Sequence, residues 1–133
     1  MTLDEAFPVV DCGCSPLGGR VIVQFKQTPK KTTASGIILT AETKETEKWS
    51  TQVAKVIAVG PLAYKHRDTM EPWPEGSWAA VGDFVRVPKW GGDRWEVALS
   101  DESDSERALF ATFNDNEMIS LITGDPLKIR AFL

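Results

Sequence analysis

"RVIVQF", residues 20–25, puts Val21, Val23 and Phe25 on one side of an extended chain and Ile22 and Gln24 on the other. Strand side chains alternate between faces, so this two-residue period marks a β-strand with one apolar face. Further along, "QVAKVIAVG" (52–60) is a second run, closed by the turn signal Gly60-Pro61. "DFVRVPKW" (83–90) sets Phe84 and Arg86 opposite Val85 and Val87, and Pro88 stops the strand or marks an edge. "RWEVALS" (94–100) alternates Trp95, Val97 and Leu99 against Glu96 and Ala98, and "RALFATF" (107–113) and "MISLI" (118–122) complete the set. No window carries an apolar stripe at helical spacing over three turns. About six short strands parted by Gly, Pro and Asp turns predict an all-β fold, a small barrel or sandwich. "VALSDESDSERALF" (97–110) reads as a hairpin whose acidic link is a solvated turn.

The chain has 133 residues, enough for one domain, and its 42% hydrophobic content can build a core. A formal net charge of -4 speaks against nucleic acid and anionic membrane as partners, since both select a basic patch. No apolar run approaches a membrane span. "MTLDEAFPVVDCGCS" (1–15) opens with acids and has no basic leader, which gives a cytoplasmic location as the expectation. Cys12 and Cys14 stand as "CGC", too close for an unstrained disulfide. A zinc site needs four ligands and the one histidine, His66, is distant, so no metal is expected and two reduced thiols in a loose N-terminal segment are.

Catalytic constellations are hard to find. His66 lies between Lys65 and Arg67 with no nucleophile signalled beside it. "GGDRW" (91–95) has glycines but no following helix, so no phosphate cradle is expected. The carboxylates are scattered in turns rather than paired on one rigid element. The expectation is a protein without enzymatic activity and without a cofactor.

Two connections exceed the usual length, residues 28–51 and 61–80, and loops beyond about 12–15 residues commonly carry function. The first contains "SGIILT" (35–40), three aliphatics in polar surroundings. Two readings remain open for it: a docking segment on a solvated loop, or a hidden strand, "GIILTA", pairing within the barrel. Trp95 belongs to a core, whereas Trp49, Trp73, Trp78 and Trp90 lie in or beside loops. Such aromatics serve a protein–protein contact or pack locally over the barrel. Stacking on single-stranded nucleic acid is the alternative function, disfavoured by the charge.

The order of the pieces carries a resemblance. "SPLGGRVIVQF", a polar loop with "SGIILT", "VAKVIAVGP", then "VGDFVRVPKWGG" and "NDNEMISLI" follow one another. The chain resembles the GroES-type co-chaperonins, whose pattern runs Pro-Leu-x-x-Arg-Val, Gly-Ile-[Ile/Val]-Leu, Val-x-Ala-Val-Gly and Val-Gly-Asp, over roughly Pro16 to Ile122. That likeness implies a small antiparallel β-barrel over residues 16–123, flanked by an N-terminal extension (1–15) and a C-terminal extension (124–133). It implies a homo-oligomer, a heptameric ring that caps an ATP-bound GroEL-type chaperonin and encloses unfolded protein clients. By position, Gly36, Ile37, Ile38 and Leu39 of a mobile loop (28–51) take the chaperonin-binding role, Gly36 supplying backbone freedom. Residues 61–80 correspond to the family's roof hairpin, with Trp73, Trp78 and Trp90 as candidates facing roof and cavity. The chain departs from the pattern in its extensions, in long loops, and in Ser35-Gly36 where the family has a double Gly. Added termini put the family's end-to-end subunit pairing and the ring size in question. The divergence also fits a virus-encoded member that adapts a host chaperonin, in the host cytoplasm, to a bulky client such as a capsid subunit. Zinc-dependent alcohol dehydrogenases carry a domain of related fold, but this chain has one His and no dinucleotide fingerprint.

Overall fold

The computed structural model describes residues 2–27, 52–99 and 107–129. They form one antiparallel sheet with very little helix. The strands are β1 (Arg20–Phe25), β2 (Val53–Val59), β3 (Phe84–Arg86), β4 (Asp93–Ala98), β5 (Arg107–Asn114) and β6 (Ser120–Leu121). Their order across the sheet is β4-β5-β1-β2-β3-β6. β1 is central, between β2 and β5, which suits a strand buried from Val21 to Phe25. β4 and β5 pair as the expected hairpin, Ala98 opposite Arg107 and Asp93 opposite Thr112. Among the described residues no helix is long and apolar enough to cross a membrane.

Alternation in β1 divides the core. Val21, Val23 and Phe25 face an inner cluster with Ala54, Val56, Val85, Val87, Leu109, Ala111 and Phe113. Facing pairs such as Val21 with Phe113 and Val23 with Ala111 stack side chains across the strands on that side. Between Ile22↔Ala58 and Val23↔Val56 the register shifts, leaving Ile57 as the extra residue of a β-bulge. A bulge bends the strand and raises the local twist, which helps a sheet of this size wrap round its core.

The opposite face of β1 is also closed. Ile22 packs with Cys12, Ala108 and Phe110, flanked by Val10, Trp95, Val97 and Leu99. Alternation alone leaves this face to solvent; residues 8–12 cover it. A short helix, α1 (Leu3–Ala6), starts at Thr2, whose hydroxyl accepts from the Glu5 N–H. From there the chain runs over β1: Gln24 Nε2 donates to Pro8 O at 2.8 Å, and Trp95 Nε1 to Cys12 O at 2.8 Å. A buried amide must find a partner, and Gln24 finds it sixteen residues upstream. The expectation of a loose segment around the cysteines is corrected by this packing: Cys12 is buried, its thiol donating to Cys14 O, and Cys14 is exposed.

A third cluster joins both ends of the chain. Ala6, Phe7 and Val53 pack with Phe84, Ile122, Leu127 and Ile129. The Phe7 and Phe84 rings lie 5.1 Å apart. Lys26 Nζ donates to the carbonyls of Pro126, Leu127 and Ile129 at 3.0, 3.0 and 3.1 Å. The Gln27 N–H donates to Ala6 O at 2.7 Å. Residues just past β1 are thus clasped between the two extensions.

"VGD" has a local cause. Residues 80–83 make a turn in which the Asp83 N–H donates to Ala80 O at 3.0 Å and Asp83 Oδ2 accepts from the Ala80 N–H at 2.9 Å. Gly82 sits at φ +96°, the third position of a type II turn, where a side chain is strained.

Candidate functional site

The connection of residues 61–80 is an ordered excursion over the inner core. Lys65 bridges Pro72, the His66 N–H donates to Glu71 O at 2.8 Å, and the Trp73 N–H to Tyr64 O at 3.0 Å. Tyr64, Trp73 and Trp78 form an aromatic cluster, with centroids 5.4 Å apart for Tyr64–Trp73, 5.9 Å for Tyr64–Trp78 and 5.2 Å for Trp73–Trp78. Trp73 and Trp78 are half-buried and rest on the inner cluster. These rings close the end of the core, which is the local packing open at the sequence level for loop tryptophans.

Tyr64 anchors the excursion, and nothing in its sequence neighbourhood singles it out. It is 1% exposed and holds φ +59°, a left-handed conformation uncommon for a residue with a side chain. Its N–H donates to Asp115 Oδ2 at 2.9 Å, a partner beyond β5 in the 3-10 turn of Asp115–Glu117. The Tyr64 hydroxyl makes no hydrogen bond among the described residues. Burial, and then the Asp115 charge, push its pKa up from 10.0 to about 12. Between those values the unfolded chain gives up a proton that the folded chain keeps. This contribution to stability is therefore complete below about pH 10 and falls as pH rises towards 12. Tyr64 is the single tyrosine, so alkaline tyrosinate absorbance reads it alone. We expect its midpoint near 12 in the folded protein, and a shallower alkaline loss of stability in Tyr64→Phe. A midpoint near 10 contradicts this account of the excursion.

Trp90 stands apart. It is 64% exposed, whereas Trp95 stacks on Phe110 with its N–H bonded to Cys12 O. Trp90 lies in the β3–β4 connection, residues 87–92, whose last five residues are held by Arg94. The Arg94 guanidinium stands 4.5 Å from the Phe25 ring centroid and 5.9 Å from that of Phe113. Its Nε donates to Gly91 O at 3.0 Å, and its Nη2 to Lys89 O at 3.1 Å and Pro88 O at 3.4 Å. Burial moves the Arg94 pKa down. The structure therefore separates the three aromatic candidates: Trp73 and Trp78 share one cluster, and Trp90 is presented on a different loop. Among the described tryptophans, Trp90 is the exposed one.

Gly36, Ile37, Ile38 and Leu39 lie outside the described residues, as do Trp49 and the acidic link of residues 100–106. What the structure shows is where the chain leaves and re-enters the sheet. Lys26 and Gln27 follow β1, and Gln52 precedes β2; the Lys26 N–H donates to Val53 O at 3.0 Å, closing the two strand ends together. Gln52 exchanges bonds with Val87, the Val87 N–H donating at 2.9 Å and the Gln52 amide at 3.2 Å. Gln27 Nε2 donates to Arg107 O at 2.9 Å. Among the described residues no group of three or more His, Cys, Asp or Glu is placed to hold a metal.

Comparison with known proteins agrees with this architecture. The family model for the chaperonin 10 kDa subunit matches residues 14–105. The chain is 30% identical over 102 residues to the co-chaperonin GroES of Syntrophomonas wolfei subsp. wolfei, covering 74% of this chain and 96% of that protein. A match running through β1, the long first connection, β2, the excursion, β3 and β4 settles the family: the chain belongs to the chaperonin 10 kDa subunit family.

Proposed function

We propose that this protein is a co-chaperonin that forms a ring-shaped lid on an ATP-driven, GroEL-type chaperonin and encloses unfolded proteins beneath it. The observation that carries this is the family match over residues 14–105, which includes the whole connection between β1 and β2. Docking falls to Gly36 and the apolar trio after it, Ile37, Ile38 and Leu39, in an otherwise polar stretch. Trp90, an exposed ring on the β3–β4 connection, faces the enclosed client, and residues 61–80 form the roof. The residues carry out no chemical step of their own; they bind, cover and release.

Energies of the expected size favour such a role. Burying three aliphatic side chains contributes about 1.5–3 kcal/mol each. Ordering about six backbone residues around them costs roughly 1–2 kcal/mol per residue. One segment therefore binds weakly and reversibly, and several on one oligomer bind tightly through effective concentration. A lid that must detach in each cycle needs this balance. The test is to mix the protein with a GroEL-type chaperonin and ATP and examine the particles by electron microscopy for capped complexes.

A further inference from the structure

We propose that Arg94 is the positioning residue for Trp90: it holds residues 88–92 in one conformation, so that the tryptophan is presented as a fixed aromatic contact to the enclosed polypeptide. The contact role of Trp90 rests on the function proposed above; the positioning rests on geometry. An exposed indole on a free loop surrenders backbone and side-chain freedom whenever it binds, which weakens the contact. Here the backbone on either side of the ring is already held. One guanidinium binds three carbonyls that bracket Trp90, those of Pro88, Lys89 and Gly91. A planar fork of donors is suited to this, and an ammonium on a flexible stem is less so. The guanidinium is itself fixed from below by the faces of Phe25 and Phe113.

The other end of the loop is fixed too. A Cβ on Gly92 would stand 2.8 Å from Phe113 Cε1, so the backbone rests directly on that ring. Gly92 also holds φ +72°, so both space and conformation select glycine. Before the loop, Val87 is tied to Gln52 by two hydrogen bonds. Trp90 is thus an exposed side chain between two anchored ends, with Arg94 beneath it.

The experiment uses the full chain, with Arg94→Met, Arg94→Lys and Trp90→Ala. Trypsin reports the loop through the Lys89–Trp90 bond. We expect slow cleavage there in the natural sequence. In Arg94→Met it should be faster by roughly tenfold or more, the scale expected when a local opening becomes easy. Arg20 and Lys55, within β1 and β2, serve as internal controls and should stay protected. Arg94→Lys should recover part of the protection. In client refolding beneath the chaperonin, Arg94→Met and Trp90→Ala should lower the yield alike, and the double variant should be no worse than either alone. Formation of capped complexes should be unchanged, which a general folding defect would not allow. Equal cleavage at Lys89 in Arg94→Met and the natural sequence overturns the positioning role. So does rapid cleavage there in the natural sequence, a readout that stands even if a variant fails to fold. A refolding loss in Arg94→Met without one in Trp90→Ala also overturns it. If neither variant alters refolding while Lys89 becomes labile, Arg94 positions the loop and the contact role of Trp90 is what fails.

Discussion

Ile38→Asp is expected to abolish association with the chaperonin and to leave the oligomer intact. Ile38 is the middle of three aliphatics flanked by Thr, Ser, Glu and Lys, so its burial is worth little within its own surroundings. In an apolar groove it contributes about 1.5–3 kcal/mol. A carboxylate in its place forfeits that gain and adds several kcal/mol of desolvation, because no partner charge is supplied. The loss recurs at every subunit, so avidity magnifies it. We expect at least a thousandfold weaker binding, about 4 kcal/mol per engaged segment. Calorimetry with chaperonin and nucleotide measures the affinity, and sedimentation measures the oligomer. Normal affinity in this variant contradicts the docking assignment. A dissociated oligomer favours the alternative in which "GIILTA" is a strand of the fold.

Removal of residues 124–133 is expected to cost roughly 3–5 kcal/mol of stability. Two terms make up that figure. Leu127 and Ile129 leave the cluster they form with Phe7, Val53 and Phe84. Lys26 loses three carbonyl acceptors at the end of β1. A charged donor that loses acceptors costs more than a neutral one, though Lys26 is half-buried and water replaces part of the loss. Against a total of about 5–15 kcal/mol for an ordinary domain, the change is large. Denaturation at fixed protein concentration should show a clearly lower midpoint for the truncated chain. Lys26→Met, which retains the apolar contacts, should show a smaller drop. An unchanged midpoint on truncation would show that the C-terminal segment merely rests on the sheet.

Sequence period made the strands legible and left the second face of the sheet obscure. Val21, Val23 and Phe25 lie on the inner face as their alternation predicts, and the β4–β5 hairpin forms where the acidic link implies it. Ile22 and Gln24 are buried as well, because residues 6–12 fold back over β1. Alternation within six residues carries no record of a distant segment that covers the far face. The same contact orders "CGC", which composition alone left as a loose end. Trp95 does pack in a core, though on the outer face with Phe110 rather than in the inner cluster.

The candidate site was legible in proportion to how local it is. "SGIILT" stands out because its apolarity contrasts with its neighbours. "VGD" entered only as part of a family pattern, and the type II turn behind it, with Gly82 at the third position, came from the structure. Tyr64 and Arg94 were not singled out: their partners, Asp115 for one and Phe25 for the other, are brought near only by the fold. A lone tyrosine in "PLAYKH" and an arginine in "GGDRW" carry no pattern that names such contacts. The tertiary context that makes them matter is written in the sheet order β4-β5-β1-β2, which sets β4 two strands from β1.

Capping tests the central claim most directly. The protein is mixed with a GroEL-type chaperonin, with and without ATP, and the particles are imaged by electron microscopy. Ring-shaped lids are expected on the ends of the chaperonin when nucleotide is present, and none when Ile38→Asp replaces the natural sequence. Bare chaperonin under every condition, with the protein folded and oligomeric beside it, would contradict a co-chaperonin role with the partner used.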